Sequence, residues 1–196
     1  MNFGYIESSF DERDLYCASS NETNFPKSYR IKPRTLVIDQ RDVPKCVSVA
    51  ISQMLYYYAL YRQQIIPHTF SDALIWESRA DTSIRGMTPR EGLKLAQTIT
   101  PIKIRRYARV PVGFSTMKEC LLAYGPMLVT LPVYSRDARF WEGSNFEGGH
   151  ACIITGYDNR GFEIKNSWGR EWNDGGYTYI DIVSLDRIIE LWVIIS

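Results

Sequence analysis

Long apolar runs are missing from this sequence. No stretch of 18 apolar residues occurs among its 196, which excludes a membrane-spanning helix. Histidine is scarce: there are two, and the four cysteines include no Cys-x-x-Cys pair. The ligand spacing of a zinc site is therefore absent, and neither a metal nor a cofactor is expected. A surplus of charge is missing as well. The formal net charge is +1, which gives no long-range field toward nucleic acid or an acidic surface. The densest basic run, Lys103-Ile104-Arg105-Arg106, is broken by apolar residues and reads as a solvated strand or edge. The opening residues carry Glu7 and no basic stretch ahead of an apolar core, so no secretory signal is expected. Repeats and low-complexity segments are also lacking.

What is present suits a soluble globular chain. Hydrophobic residues make up 45% and charged residues 23%, enough for one substantial domain or two small lobes around a shared cleft. Such a chain does not need disulfides to hold its core. Cys17, Cys46, Cys120 and Cys152 are therefore expected to be free thiols in a reducing compartment. The location expected is the cytoplasm or the inside of a phage or viral particle.

The chain changes character along its length. Residues 1–39 are polar and irregular, and are expected to wrap a surface. Apolar residues at Val47, Ala50, Ile51, Met54, Leu55 and Tyr58 recur at helical spacing from Cys46 to about Gln63. A shorter helix is expected over 70–80, with Ser71 able to cap it. Thr88-Pro89-Arg90-Glu91 is a capping box with proline at the first helical position, opening a helix to about Thr98. Thr116-Met117-Lys118-Glu119 repeats that pattern, and its helix ends at Gly125-Pro126. Short β-rich runs follow at 127–134, 151–157, 161–166, 177–181 and 188–195, separated by turn residues. Helices first and strands second predict an α+β fold. The expected parts are the wrapping segment 1–39, a helical lobe over 40–110 and a β-barrel-like lobe over 111–196.

Three residues can do chemistry together. Cys46 starts a strong helix, where unpaired backbone N–H groups favour the thiolate, and Lys45 stands beside it. Taken alone it reads more simply as a small buried apolar residue. His68, in Pro67-His68-Thr69, reads as a surface loop residue. His150 follows Gly148-Gly149 and opens an apolar strand, facing a cleft or serving the core. Asn166 ends the next strand candidate. If the two strands form a hairpin through the 158–161 turn, His150 and Asn166 meet at one end. The asparagine oxygen can then hold the imidazole, with Trp168 covering the bond from water.

These residues carry a resemblance to the papain-like (C1) cysteine peptidases. Gln40 precedes Cys46 by six positions, and His150 precedes Asn166 by sixteen. His150-Ala151 leads through an apolar strand to Gly156-Tyr157. The string Ile164-Lys165-Asn166-Ser167-Trp168-Gly169 follows, then Trp172 and Gly175-Gly176-Tyr177. The likeness covers roughly residues 36–181. Gly4-Tyr5-Ile6 with Asp11-Glu12-Arg13-Asp14 is similar to the start of prokaryotic and viral members. Pro44-Lys45-Cys46-Val47 departs from the Gly-Ser-Cys-Trp of plant and lysosomal members.

The resemblance implies a two-lobe papain-like fold and hydrolysis of peptide bonds through a thioester. Cys46 would be the nucleophile, His150 its base, Asn166 the orienter and Gln40 an oxyanion donor. It further implies that Gly86 and Met87 pair with substrate backbone, that Gly148 and Gly149 wall the main specificity pocket, and that Trp168 stands at the substrate site. The partner implied is a peptide or protein substrate, in a chain that can belong to a larger assembly. Nucleic acid and membrane are not expected. Two other readings stay open: a catalytically silent binding module of the same fold, and an acyltransferase or transpeptidase using the same triad.

Overall fold

The computed structural model describes residues 3–17, 24–61, 71–100 and 102–195. His68 and the end of the first helix beyond Tyr61 lie outside them.

The first helix, α1 (Cys46–Tyr61), is the hub of the molecule. Val47, Val49, Ala50, Ile51, Leu55 and Ala59 are all fully buried, so the helix is covered on more than the single face its spacing predicts. It packs against α2 (Asp72–Glu77) and α3 (Pro89–Ile99) on one side and against the sheet on the other. Helix α3 begins as its sequence dictates: Pro89 occupies the first turn, and Thr88 accepts the Glu91 N–H at 3.1 Å. The other two starts differ from expectation. Ser71 precedes α2 but makes no side-chain cap bond. Helix α4 (Phe114–Tyr124) begins two residues ahead of Thr116, with Gly113 in the cap position, so that threonine lies inside the helix.

The described strands form one antiparallel sheet in the order β2-β7-β3-β4-β5-β6. They are β2 (Arg106–Arg109), β3 (Met127–Val133), β4 (Gly148–Asp158), β5 (Gly161–Lys165), β6 (Tyr177–Ile180) and β7 (Glu190–Ile195), with β1 (Tyr29–Arg30) pairing with the far end of β4. All seven residues of β3 are buried; α1 packs against the strand, and β4 and β7 pair with its two edges. Strand β4 is the longest. Its first part pairs with β3 and its second with β5, with a bulge between Ile154 and Gly156. That pairing returns the chain through the 158–161 turn and brings the start of β4 level with the end of β5. Residues 106–109, in the stretch assigned to the helical lobe, belong to the sheet through β7.

Cys17 and Cys120 form a disulfide, which corrects the expectation of four free thiols; Cys46 and Cys152 are free and buried. The bridge ties the N-terminal segment to α4 across 103 residues of chain. No helix among the described residues is long and apolar enough to cross a membrane.

Candidate active site

The hairpin of β4 and β5 sets His150 against Asn166. His150 Nε2 lies 2.7 Å from Asn166 Oδ1. An amide oxygen can only accept, so Nε2 carries the proton and Nδ1 keeps its lone pair. Nδ1 is buried and has no hydrogen-bond partner among the described residues. Two more donors converge on the same oxygen, Ser167 N at 2.7 Å and the Cys152 thiol at 3.4 Å. Together they fix which way the amide faces. The Trp168 ring stacks on the imidazole at 4.8 Å and Phe140 meets it edge-on at 5.8 Å, so the pair is shielded from water on two sides.

The turn preceding α1 delivers Gln40 and Cys46 to the same place. Gln40 N donates to Ser167 O at 2.9 Å, and Asp39 bridges to Trp168. The Ser167 hydroxyl donates to Gln40 Oε1 at 2.6 Å, and Gln40 Nε2 donates to Val43 O at 3.1 Å. The amide of Gln40 is thereby oriented, with one of its two N–H donors still available. The Cys46 thiol sits among the backbone N–H groups of Ala151, Gly4, Val47 and Cys46 itself.

Cys46, His150 and Asn166 are each 0% exposed. The chain's own N-terminal segment lies over Cys46 and His150. Gly4 O accepts the Met87 N–H at 2.8 Å, and Ile6 N donates to Met87 O at 3.1 Å. Gly86, preceding Met87, has a φ of +151°, which an L side chain rarely adopts. Phe3 lies edge-on to His150 and against Gly148, where an added Cβ would stand 2.9 Å from the ring. Tyr5 stands on Gly149, where a Cβ would come within 2.1 Å. The segment then runs along a charged seam: Arg90 donates to Ser9 O at 2.8 Å, Arg109 to Ser8 O at 3.2 Å, and Asp14 pairs with both arginines. It ends at the Cys17–Cys120 bridge. We call residues 3–17 the strap.

Burial under the strap decides the charge state. It pushes the Cys46 thiol up to about 11, against the opposing pull of the surrounding N–H groups. It pulls the His150 imidazole down to about 4, overcoming the Asn166 hydrogen bond. A helix-favoured thiolate is therefore not what the closed site holds: thiol and imidazole are both neutral near pH 7. Lys45 does not help the thiolate either, since its ammonium is paired with Asp72 at 2.7 Å.

Some of this machinery has no signal in the sequence. Phe140 comes from a loop, and Cys152 reads as an ordinary strand residue. Ser167 stood inside the quoted motif without a role. The strap falls within residues 1–39, expected to wrap a surface, though Phe3-Gly4-Tyr5 is an apolar pair around a glycine, a pattern suited to a tight groove.

The helical layer, the antiparallel sheet and the site between them define a papain-like α+β protein. Xylellain, a cysteine protease from Xylella fastidiosa, has this fold with a TM-score of 0.87 at 21% identity, over 98% of this chain and 95% of that one. The bromelain protease from Ananas comosus superposes with a TM-score of 0.68 at 18% identity, over 87% of this chain and 99% of that one. The family model described as "Papain family cysteine protease" matches residues 88–183. Over that stretch, just under half of its length, the chain is similar to the papain family. Among curated relatives, cathepsin B-like CP2 of Giardia intestinalis is 28% identical over 121 residues, 56% of this chain and 40% of that protein. Mouse cathepsin O is 32% identical over 78 residues, 33% of this chain and 23% of that protein. The match spans less than half the length of either curated relative.

Proposed function

We propose that the chain is a cysteine peptidase that hydrolyses peptide bonds through a thioester on Cys46, and that the strap keeps it latent. The observation that carries this reading is the His150–Asn166 bond. It leaves His150 Nδ1 without a partner among the described residues, next to Ala151, whose backbone N–H reaches the Cys46 thiol, while Ser167 orients the Gln40 amide.

Substrate enters when residues 3–9 leave the groove. Water then reaches the pair, and the burial that keeps both groups neutral is relieved. Nδ1 takes the thiol proton. The thiolate attacks the carbonyl carbon, and the oxyanion is held by Gln40 Nε2 and the Cys46 N–H. One such donor is worth roughly 3–4 kcal/mol in related acyl transfer. His150 returns the proton to the leaving amine as the C–N bond breaks. Water, deprotonated by His150, then cleaves the thioester and restores the thiol. The Gly86-Met87 strip offers the backbone pairing, Gly148 and Gly149 the room, and Trp168 the cover.

Restraint in cis by the strap removes the need for a larger assembly to hold the enzyme inactive. The Cys17–Cys120 bridge favours an oxidising compartment over the cytoplasm. A silent binding module would also bury its cysteine, and an epoxide-type cysteine-peptidase inactivator separates the two. On the full-length Phe3→Ala/Tyr5→Ala chain, rapid adduct formation at Cys46, located by peptide mass spectrometry and abolished by His150→Ala, is the expected result. Slow labelling, equal at Cys46 and Cys152 and indifferent to His150→Ala, would remove the peptidase reading. Appearance of added amines in the products would move the assignment to acyl transfer.

A further inference from the structure

Tyr5 fills a pocket whose floor is a carboxylate. Its ring rests on Gly149, and its hydroxyl donates to Glu190 Oε1 at 2.9 Å. Glu190 is 2% exposed, at the start of β7, with its backbone N–H held by Thr130 Oγ1 at 2.9 Å. The two carboxylate oxygens have different partners. Oε2 accepts from Trp192 Nε1 at 2.9 Å and pairs with Arg109 Nη1 at 3.2 Å, both groups of the sheet. Oε1 accepts from the Tyr5 hydroxyl and from Ser8 N at 2.7 Å, both groups of the strap. When the strap leaves, Oε2 keeps its donors and Oε1 loses its own. The emptied pocket then presents one buried acceptor whose charge is already balanced by Arg109.

We infer that the pocket vacated by Tyr5 selects a tyrosine side chain in the substrate, with Glu190 Oε1 as the acceptor for its hydroxyl. The inference rests on the peptidase reading above and names what that site prefers. A phenylalanine fills the same space but leaves Oε1 desolvated without a donor. An arginine or lysine brings a second cation to a carboxylate that already has one. If Asp14 departs with the strap, Arg90 and Arg109 face Glu190 with one positive charge in excess, and a cation is disfavoured further. A neutral hydroxyl is the donor that satisfies Oε1 without excess charge. The position selected is next to the residue at the thiol, because Gly4 faces Cys46 and Tyr5 is its neighbour.

The test measures binding apart from turnover. The full-length Phe3→Ala/Tyr5→Ala chain is titrated calorimetrically with a capped hexapeptide of the strap sequence, Phe-Gly-Tyr-Ile-Glu-Ser. Two further peptides carry Phe or Arg in place of the Tyr. The Tyr peptide is expected to bind about tenfold more tightly than the Phe peptide, or about 1.4 kcal/mol, and more tightly than the Arg peptide. Glu190→Gln in the same background narrows the Tyr-to-Phe gap; if that variant does not fold, the three peptides on the unchanged pocket still decide. Equal binding of Tyr and Phe peptides, tighter binding of the Arg peptide, or no binding of any overturns the inference. Tyr-selective binding in a chain that hydrolyses no peptide upholds the pocket and removes the peptidase reading. Hydrolysis with no preference for Tyr does the reverse.

Discussion

Tyr5 pairs with Met87 in parallel, with Gly4 O and Ile6 N bonding the two backbone groups of Met87. The strap therefore uses the hydrogen bonds that the Met87 strip has to offer, and no incoming peptide can share them. Access to Cys46 and occupation of this strip by residues 4–6 exclude each other.

Gly4 is where that exclusion is most easily broken. A Cβ there would stand 1.6 Å from Pro44 O, a backbone atom that cannot swing away. Gly4→Ala is expected to unseat the strap in the full-length chain and to raise the rate of Cys46 alkylation at least tenfold at pH 7. Unchanged alkylation would mean that the strap is not what guards the thiol.

The buried imidazole also makes stability depend on pH. His150 has its folded value pulled down to about 4, below the roughly 6.5 of an unfolded histidine. Between these values the unfolded chain binds the extra proton, so stability falls as pH drops from about 6.5 to 4. The full effect is on the order of 3 kcal/mol. Urea midpoints at pH 7 and 4.5 measure it, and the drop shrinks in His150→Gln. Asp14 acts in a lower window: its carboxyl is held below the usual range by Arg90 and Arg109 against the cost of burial, so its contribution is lost on further acidification.

Ser167 is expected to act through Gln40. Its hydroxyl at 2.6 Å fixes which end of the amide faces the reacting carbonyl. In a strap-released background, Ser167→Ala should lower kcat about tenfold with little change in KM, because the oxyanion forms only along the reaction. A raised KM with unchanged kcat would assign Ser167 to substrate binding instead.

The Cys17–Cys120 bridge closes a loop of about a hundred residues, worth roughly 5 kcal/mol in the chain-entropy account. Reduction should lower the urea midpoint accordingly. It should also speed labelling of Cys46, since the bridge anchors the end of the strap. Equal labelling rates with and without reductant would place the anchor in the Asp14–Arg90–Arg109 pairs alone.

The His150–Asn166 contact was legible because the two residues are close in sequence and bound to a hairpin. The turn at 158–161 dictates that β4 and β5 pair, and pairing alone brings His150 to Asn166. The capping box at Thr88 was legible for the same reason, being a local pattern with a local cause. Glu190 was not, because its partners Tyr5 and Arg109 lie 185 and 81 positions away in the chain, and no periodicity links them. The charge state of Cys46 was misread for a related reason. A helix N-terminus is visible in sequence, whereas the covering that outweighs it comes from residues 3–6, far from the helix. Strand β2 was only partly legible: the run 103–106 reads as a solvated strand or edge, but the strand begins at Arg106 and its place in the sheet comes from pairing with β7.

The most direct test of the central claim is to trap the thioester. The strap-released Phe3→Ala/Tyr5→Ala chain is mixed with a tyrosine-containing peptide ester, quenched in acid and weighed intact. The account predicts one acyl group per chain, mapped to Cys46, released by hydroxylamine and absent in His150→Ala. No adduct, or an adduct on Cys152 that persists without His150, would contradict it.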